Sequence, residues 1–129
     1  MRILMIIMTL SLMLSANIGV YTSQGKKIMS ISKSELEKLF LKKIDTINGI
    51  KVTPIDNSNP EVLQTFYKMY INKTPQQLHA YWAKQALSNN KRPPQKLADH
   101  KIAQLLSGQQ TVIAYTQGTL SEGIRLTVR

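Results

Sequence analysis

The sequence has no cysteine. That excludes disulfides, a thiolate nucleophile, a Cys-ligated zinc and an acylated lipobox cysteine. The fold must rest on a packed core alone, which a chain of 129 residues can supply. Acidic residues are scarce, with 7 Asp plus Glu against 17 Lys plus Arg and a formal net charge of +10. Such a surface attracts anions, anionic lipid or nucleic acid without choosing among them. It is equally the solvated surface of many exported proteins. Histidine occurs only at His79 and His100, neither beside an acidic cluster, so no recognisable metal-ligand spacing is present. G-x-S-x-G, H-E-x-x-H and P-loop motifs are absent, and nothing in the sequence pairs two of the carboxylates. The expectation is a protein that is not an enzyme and carries no cofactor. The basic doublets Lys26-Lys27, Lys42-Lys43 and Lys91-Arg92 do not interleave with aromatics as in single-strand binders, so nucleic acid is not expected as a partner.

What is present begins with a targeting segment. Residues 1–16 carry Arg2 and then an apolar run from Ile3 to Leu14, broken only by Thr9 and Ser11. A positive start, a short apolar region and a small residue near the end fit a signal peptide. The run falls short of the about 20 residues that span a bilayer. Cleavage after Ala16 leaves one domain, residues 17–129, periplasmic or secreted and without stable membrane insertion. An uncleaved N-terminal anchor is the alternative.

The remaining chain alternates strands with helices. Asn17 to Ser23 reads as a short strand, Gln24 to Lys27 as a polar turn and Ile28 to Ile31 as a strand end. S-K-S-E at 32–35 is a capping box, and Leu36, Leu39, Phe40 and Ile44 share one face of a helix from Lys33 to Lys43. Asn48-Gly49 is a turn signal before a strand from Ile50 to Ile55. Asp56 to Pro60 reads as a loop that starts a helix reaching about Ile71, with Ser58 or Asn59 as cap.

Thr74 to Leu97 holds the only Trp and three of the five prolines. Thr74 and Gln77 form a second capping box, and Leu78, Tyr81 and Trp82 follow at helical spacing. Ser88-Asn89-Asn90 ends that helix, and Lys91 to Pro94 reads as a rigid basic loop. Asp99 is placed to cap a further helix to about Ser107, Thr111 to Tyr115 fits a buried strand, and Ile124 to Val128 a last one. The order is β-α-β-α-α-α-β-β, which predicts an α/β layer on one mixed sheet. Helix starts after Ser32, Asn59 and Thr74 offer unpaired N–H groups to anions, although ordinary capping explains each of them.

Several segments together resemble a known family: S-K-S-E-L-E-K-L-F-L-K-K, I-N-G-I-K-V-T-P-I-D, F-Y-K-M-Y with T-P-Q-Q-L-H-A-Y-W-A-K-Q and K-R-P-P, and V-I-A-Y. In this order they are similar to the phosphate ABC-transporter substrate-binding proteins, in particular the short single-lobe periplasmic members. The resemblance runs from about Ile18 to Val128. It implies a single lobe of a type II periplasmic-binding-protein fold, a mixed sheet flanked by helices. It also implies binding of phosphate or a related oxyanion for ABC-type uptake or sensing.

In phosphate-binding members the loop before the F-x-x-x helix typically reads R-x-x-G-S-G-T. Aligned on Phe66, Pro60-Glu61-Val62 stand where S-G-T would be, and Asp56 falls at or next to the Arg. The ligand contacts implied for this chain are therefore Asn57, Ser58 and Asn59. The alternative function is an interaction or structural module, a lobe that has lost its ligand and contacts another protein or a second copy of itself.

Overall fold

The computed structural model describes residues 17–25 and 28–129; the expected signal peptide lies outside the described residues, as do Lys26 and Lys27. In chain order the elements are β1 (Ile18–Thr22), β2 (Ser30–Ile31), α1 (Lys33–Phe40), β3 (Thr46–Ile47), β4 (Ile50–Lys51) and β5 (Thr53–Asn57). Helix α2 (Pro60–Phe66) follows and runs on into a π-helical turn, Tyr67–Ile71. Then come α3 (Pro75–Asn89), β6 (Gln95–Leu97), α4 (Asp99–Leu106), β7 (Val112–Gln117), β8 (Ile124–Arg125) and β9 (Thr127–Val128).

Five strands form the main sheet in the order β6-β5-β7-β1-β8. β5 is parallel to β6 and β7, whereas β1 is antiparallel to β7 and β8. The expected mixed α/β sheet is therefore present, with four α-helices around it among the described residues.

Both faces of the sheet are covered, which explains the continuous apolar runs in its central strands. Alternation along each strand divides the core in two. Val20, Ile113 and Tyr115 point to the side of α1 and α2, with Leu36, Phe40, Phe66 and Tyr67. Tyr21, Ile55, Val112 and Ala114 point to the side of α4, with Ile102 and Leu106. Phe66 stacks on Tyr115 with centroids 3.7 Å apart and rings 5° from parallel, and Phe40 meets Phe66 edge-on at 4.8 Å. Such aromatic pairs add to the burial that seats α1 and α2 on the sheet.

The local signals act as chemistry requires. Ser32 and Glu35 form the first capping box, and Thr74 and Gln77 the second. Asn48 and Gly49 take positive φ, 50° and 77°, and close a β3–β4 hairpin. Gly123 has φ 77°, and a Cβ there would lie 2.6 Å from the Thr22 carbonyl oxygen, so glycine is required where β8 returns beside β1.

Four expectations shift. The strand expected from Ile50 to Ile55 divides into hairpin strand β4 and sheet strand β5, and β5 extends through Asp56 and Asn57. The stretch 95–97, where no strand was expected, is strand β6. Ala98 rather than Asp99 occupies the cap of α4, which frees the Asp99 carboxylate for other partners. The last strand also divides: Leu126 is buried, β8 joins the main sheet, and β9 leaves it to pair in parallel with β2.

Candidate functional site

β5 stands between its two parallel neighbours. The chain leaves it through α2 and α3 toward β6 on one side, and returns through α4 to β7 on the other. In open α/β sheets such a reversal leaves a crevice outside the carboxyl ends of the strands. Here a cleft of about 360 Å³ opens at the end of β5. Its polar lining includes Asp56, Asn57, Ser58, Lys73, His79 and Lys96, and its apolar walls include Leu63, Leu78, Trp82 and Pro93.

Asp56 is 2% exposed. The alternation that sends Ile55 toward α4 sends Asp56 toward α2. There one carboxylate oxygen accepts from the Tyr67 hydroxyl at 3.0 Å, and the other accepts from the Tyr115 hydroxyl at 2.8 Å. Tyr115 is placed by β7 and held by its stack on Phe66. Tyr67 is placed by the π-helical turn, in which Asn72 N–H reaches back five residues to the Tyr67 carbonyl at 2.8 Å.

Burial pushes the Asp56 carboxyl up from 3.8 to about 6. The two phenols, then the positive fields of Lys96 and Lys42, oppose that rise without cancelling it. Lys96 is the β6 residue in register with Asp56. Burial, together with the neighbouring Asp56 charge, raises both phenols well above the ordinary tyrosine value, so they stay protonated and donate.

Asn57, one residue on, serves the opposite face. Its side-chain NH₂ donates to Asp99 Oδ1 at 2.8 Å and to the Tyr115 carbonyl at 3.0 Å, and its Oδ1 accepts from Asn59 N–H at 2.9 Å. Thr116 donates to the same Asp99 oxygen at 2.7 Å. Asn59 caps α2, accepting from the N–H groups of Glu61 and Val62. Of the three residues the resemblance assigned to a ligand, Asn57 and Asn59 thus have side chains engaged in internal hydrogen bonds. Ser58 is exposed and lines the cleft, with its own N–H bound to the Leu97 carbonyl at 2.9 Å.

The wall opposite β5 comes from α3. Trp82 is the one buried residue of that helix. Its ring meets Tyr81 edge-on at 4.9 Å, and the Tyr81 hydroxyl donates to the Leu41 carbonyl at 2.6 Å, tying α3 to the end of α1. The Trp82 indole N–H is buried and has no acceptor among the described residues. Lys73 lies 5.4 Å above the Tyr81 ring, a cation–π contact that holds its ammonium near the cleft. The cleft therefore combines a buried carboxyl at its floor, apolar side chains in its walls and the lysines Lys73 and Lys96 in its lining.

The sequence reading missed Asp56, Tyr67 and Tyr115 as a group. Tyr115 stood out only as the end of an apolar strand, and Tyr67 only as part of the helix that starts at Pro60. Among the described residues no group of three metal-ligating side chains comes together, and no helix is long and apolar enough to cross a membrane. Comparison of the chain with protein-family models, with curated proteins and with solved structures found no significant match.

Proposed function

We propose that the protein is an exported, non-enzymatic solute-binding domain, a single lobe of the type II periplasmic-binding-protein kind, and that the cleft at the end of β5 is its binding site. The resemblance of the sequence to the phosphate-transporter binding proteins supports this reading. So does a mixed sheet with helices on both faces and a crevice at the carboxyl ends of its parallel strands. The apolar segment at residues 3–14 supports export to the periplasm or beyond.

The observation that carries the proposal is the Asp56 carboxyl, buried in the floor of an open cleft and raised toward neutrality. A buried acidic group costs stability, and groups of that kind cluster where a ligand is bound. An oxyanion drawn in by Lys73 and Lys96 is repelled while Asp56 is ionised and accepted once it is protonated. Sulfate tests this cleanly, since it does not itself titrate near neutrality. Titration calorimetry should show sulfate binding more tightly at pH 5 than at pH 8, with the dependence lost in Asp56→Asn. Absence of binding by phosphate, sulfate and small organic acids at millimolar concentration would reject solute binding.

The second reading is an interaction module that contacts another protein or a second copy. It is favoured by α3, which spans 15 residues with only Trp82 buried and leaves Leu87 89% exposed. Concentration-dependent self-association measured by sedimentation, together with inert small solutes, would support it.

A further inference from the structure

The stretch from Val62 to Ala98 holds six Lys and Arg and no Asp or Glu, so it carries +6 of the net charge of +10. Helix α3 lies in its middle. Only Trp82 of this helix is buried, whereas Ala80, Ala83, Lys84 and Leu87, which share the opposite face at helical spacing, are exposed. Lys91 and Arg92 follow just past its end, both exposed. Lys91 Nζ donates to the Lys42 carbonyl at 2.8 Å, which brings this doublet beside Lys42 and Lys43 at the end of α1, 49 residues earlier in the chain. The partner of Lys91 is thus a carbonyl and that of Lys73 is the Tyr81 ring, so neither contact cancels a charge.

We infer that the outer face of α3, with the basic ends of α3 and α1 beside it, docks on an anionic phospholipid bilayer as a reversible peripheral contact. The inference does not depend on the reading of the cleft. Charge selects the class of partner. A second copy would set like charge against like, which is repulsive. An anionic bilayer offers a plane of negative charge, where each nearby Lys or Arg strengthens binding about fivefold. Apolar content then favours lipid over an acidic protein. Protein interfaces are held by a desolvated centre with aromatic anchors. Here Trp82 is buried and Tyr81 half-buried, and Leu87, 89% exposed, is the large apolar side chain on the face. One leucine among alanines and cations makes no such centre, but it can enter the headgroup layer of a bilayer.

Residues 17–129 contain every element described above and both clusters of the core. That chain is tested, because the apolar segment at 3–14 would bind lipid by itself. It is mixed with vesicles of phosphatidylcholine containing about one third phosphatidylglycerol, or with phosphatidylcholine alone, and the bound fraction is read by co-sedimentation. Binding to the anionic vesicles should be at least about tenfold tighter than to the neutral ones at about 50 mM salt. It should vanish near about 0.5 M, where screening shortens the reach of each charge.

Lys91→Gln combined with Arg92→Gln should weaken binding to the anionic vesicles about thirtyfold, and Leu87→Ser about fivefold. Lys101→Gln combined with Arg125→Gln removes the same net charge from α4 and β8, away from α3, and should weaken it by no more than about threefold. All five side chains are exposed, so the fold should tolerate each change. Equal losses in the two double variants, an unaffected Leu87→Ser, or equal binding to neutral and anionic vesicles would each overturn the inference. So would release from the vesicles by polyglutamate at matched charge, which would assign the face to an acidic protein instead.

Discussion

Asp56 and Asn57 are neighbours at the end of one strand, both polar and both 2% exposed, yet they serve different ends. Asn57 is closed on itself: donors and acceptor are matched by Asp99, Tyr115 and Asn59, and the network ties β5 to α4 and to the start of α2. Asp56 carries the greater desolvation burden and receives only two phenolic donors, on the side that opens to the cleft. The difference follows from strand alternation, which turns adjacent side chains to opposite faces. A buried polar network with every member satisfied rigidifies a fold, whereas a buried carboxyl whose partners do not offset its desolvation is a feature that stability alone does not explain.

The comparison breaks most severely at Asn57. Asn57→Ala removes three hydrogen bonds and leaves the Asp99 and Tyr115 acceptors and the Asn59 donor short of a partner. The expected loss is about 3 kcal/mol of unfolding free energy. Chemical denaturation measures it, and a loss below about 1 kcal/mol would show the network to be incidental.

At Asp56 the expected effect is a slope rather than an offset. Its folded-state value lies above the unfolded 3.8, so the folded protein binds more protons between about pH 4 and 6. Stability from this group is fully present below pH 4 and is lost as pH rises through 6. The gap between 3.8 and about 6 corresponds to about 3 kcal/mol at most over that window. Wild type compared with Asp56→Asn, unfolded at pH 4 and pH 7, isolates the contribution from the other carboxylates. Parallel slopes for the two would show that Asp56 does not titrate there.

Tyr115→Phe sharpens the same point with a smaller effect. It deletes the 2.8 Å donor to Asp56 while keeping the stack on Phe66. The Asp56 carboxyl should titrate still higher, and stability at pH 7 should fall by about 1 to 2 kcal/mol. Carbon-detected NMR titration of the carboxyl reads the first quantity. An unchanged midpoint would mean that the phenol does not support the charge.

The contrast also explains what could be read in advance. Caps were legible because their partners lie within four residues: Ser32 with Glu35, Thr74 with Gln77, and Asn59 with the first N–H groups of α2. The amphipathic face of α1 and the apolar run of β7 were legible because periodicity reports burial directly. Asp56 and Asn57 read as loop because D-N-S-N-P has turn composition, and their partners Tyr115 and Asp99 lie 59 and 42 residues away. β6 was illegible for a related reason. Gln95-Lys96-Leu97 has no alternation to speak of and becomes a strand through its pairing with β5. Trp82 was expected in the core and is buried, but its second role as a wall of the cleft depends on where α3 crosses the end of β5.

The smallest effects belong to the two residues that follow Asn57. Asn59→Ala removes the side chain that accepts from the Glu61 and Val62 N–H groups and should cost about 1 kcal/mol. Ser58 is exposed at the cleft edge, so Ser58→Ala should leave stability within about 0.5 kcal/mol. Its consequence for a bound solute separates the resemblance from the geometry. If ligand contacts reside in the loop at 57–59, losing the Ser58 hydroxyl should reduce affinity near tenfold. If they reside on the floor, at the buried Asp56 carboxyl, affinity should change by no more than about twofold. Calorimetry of Ser58→Ala beside Asp56→Asn, with sulfate as the ligand and at the same pH, decides between the edge of the cleft and its interior.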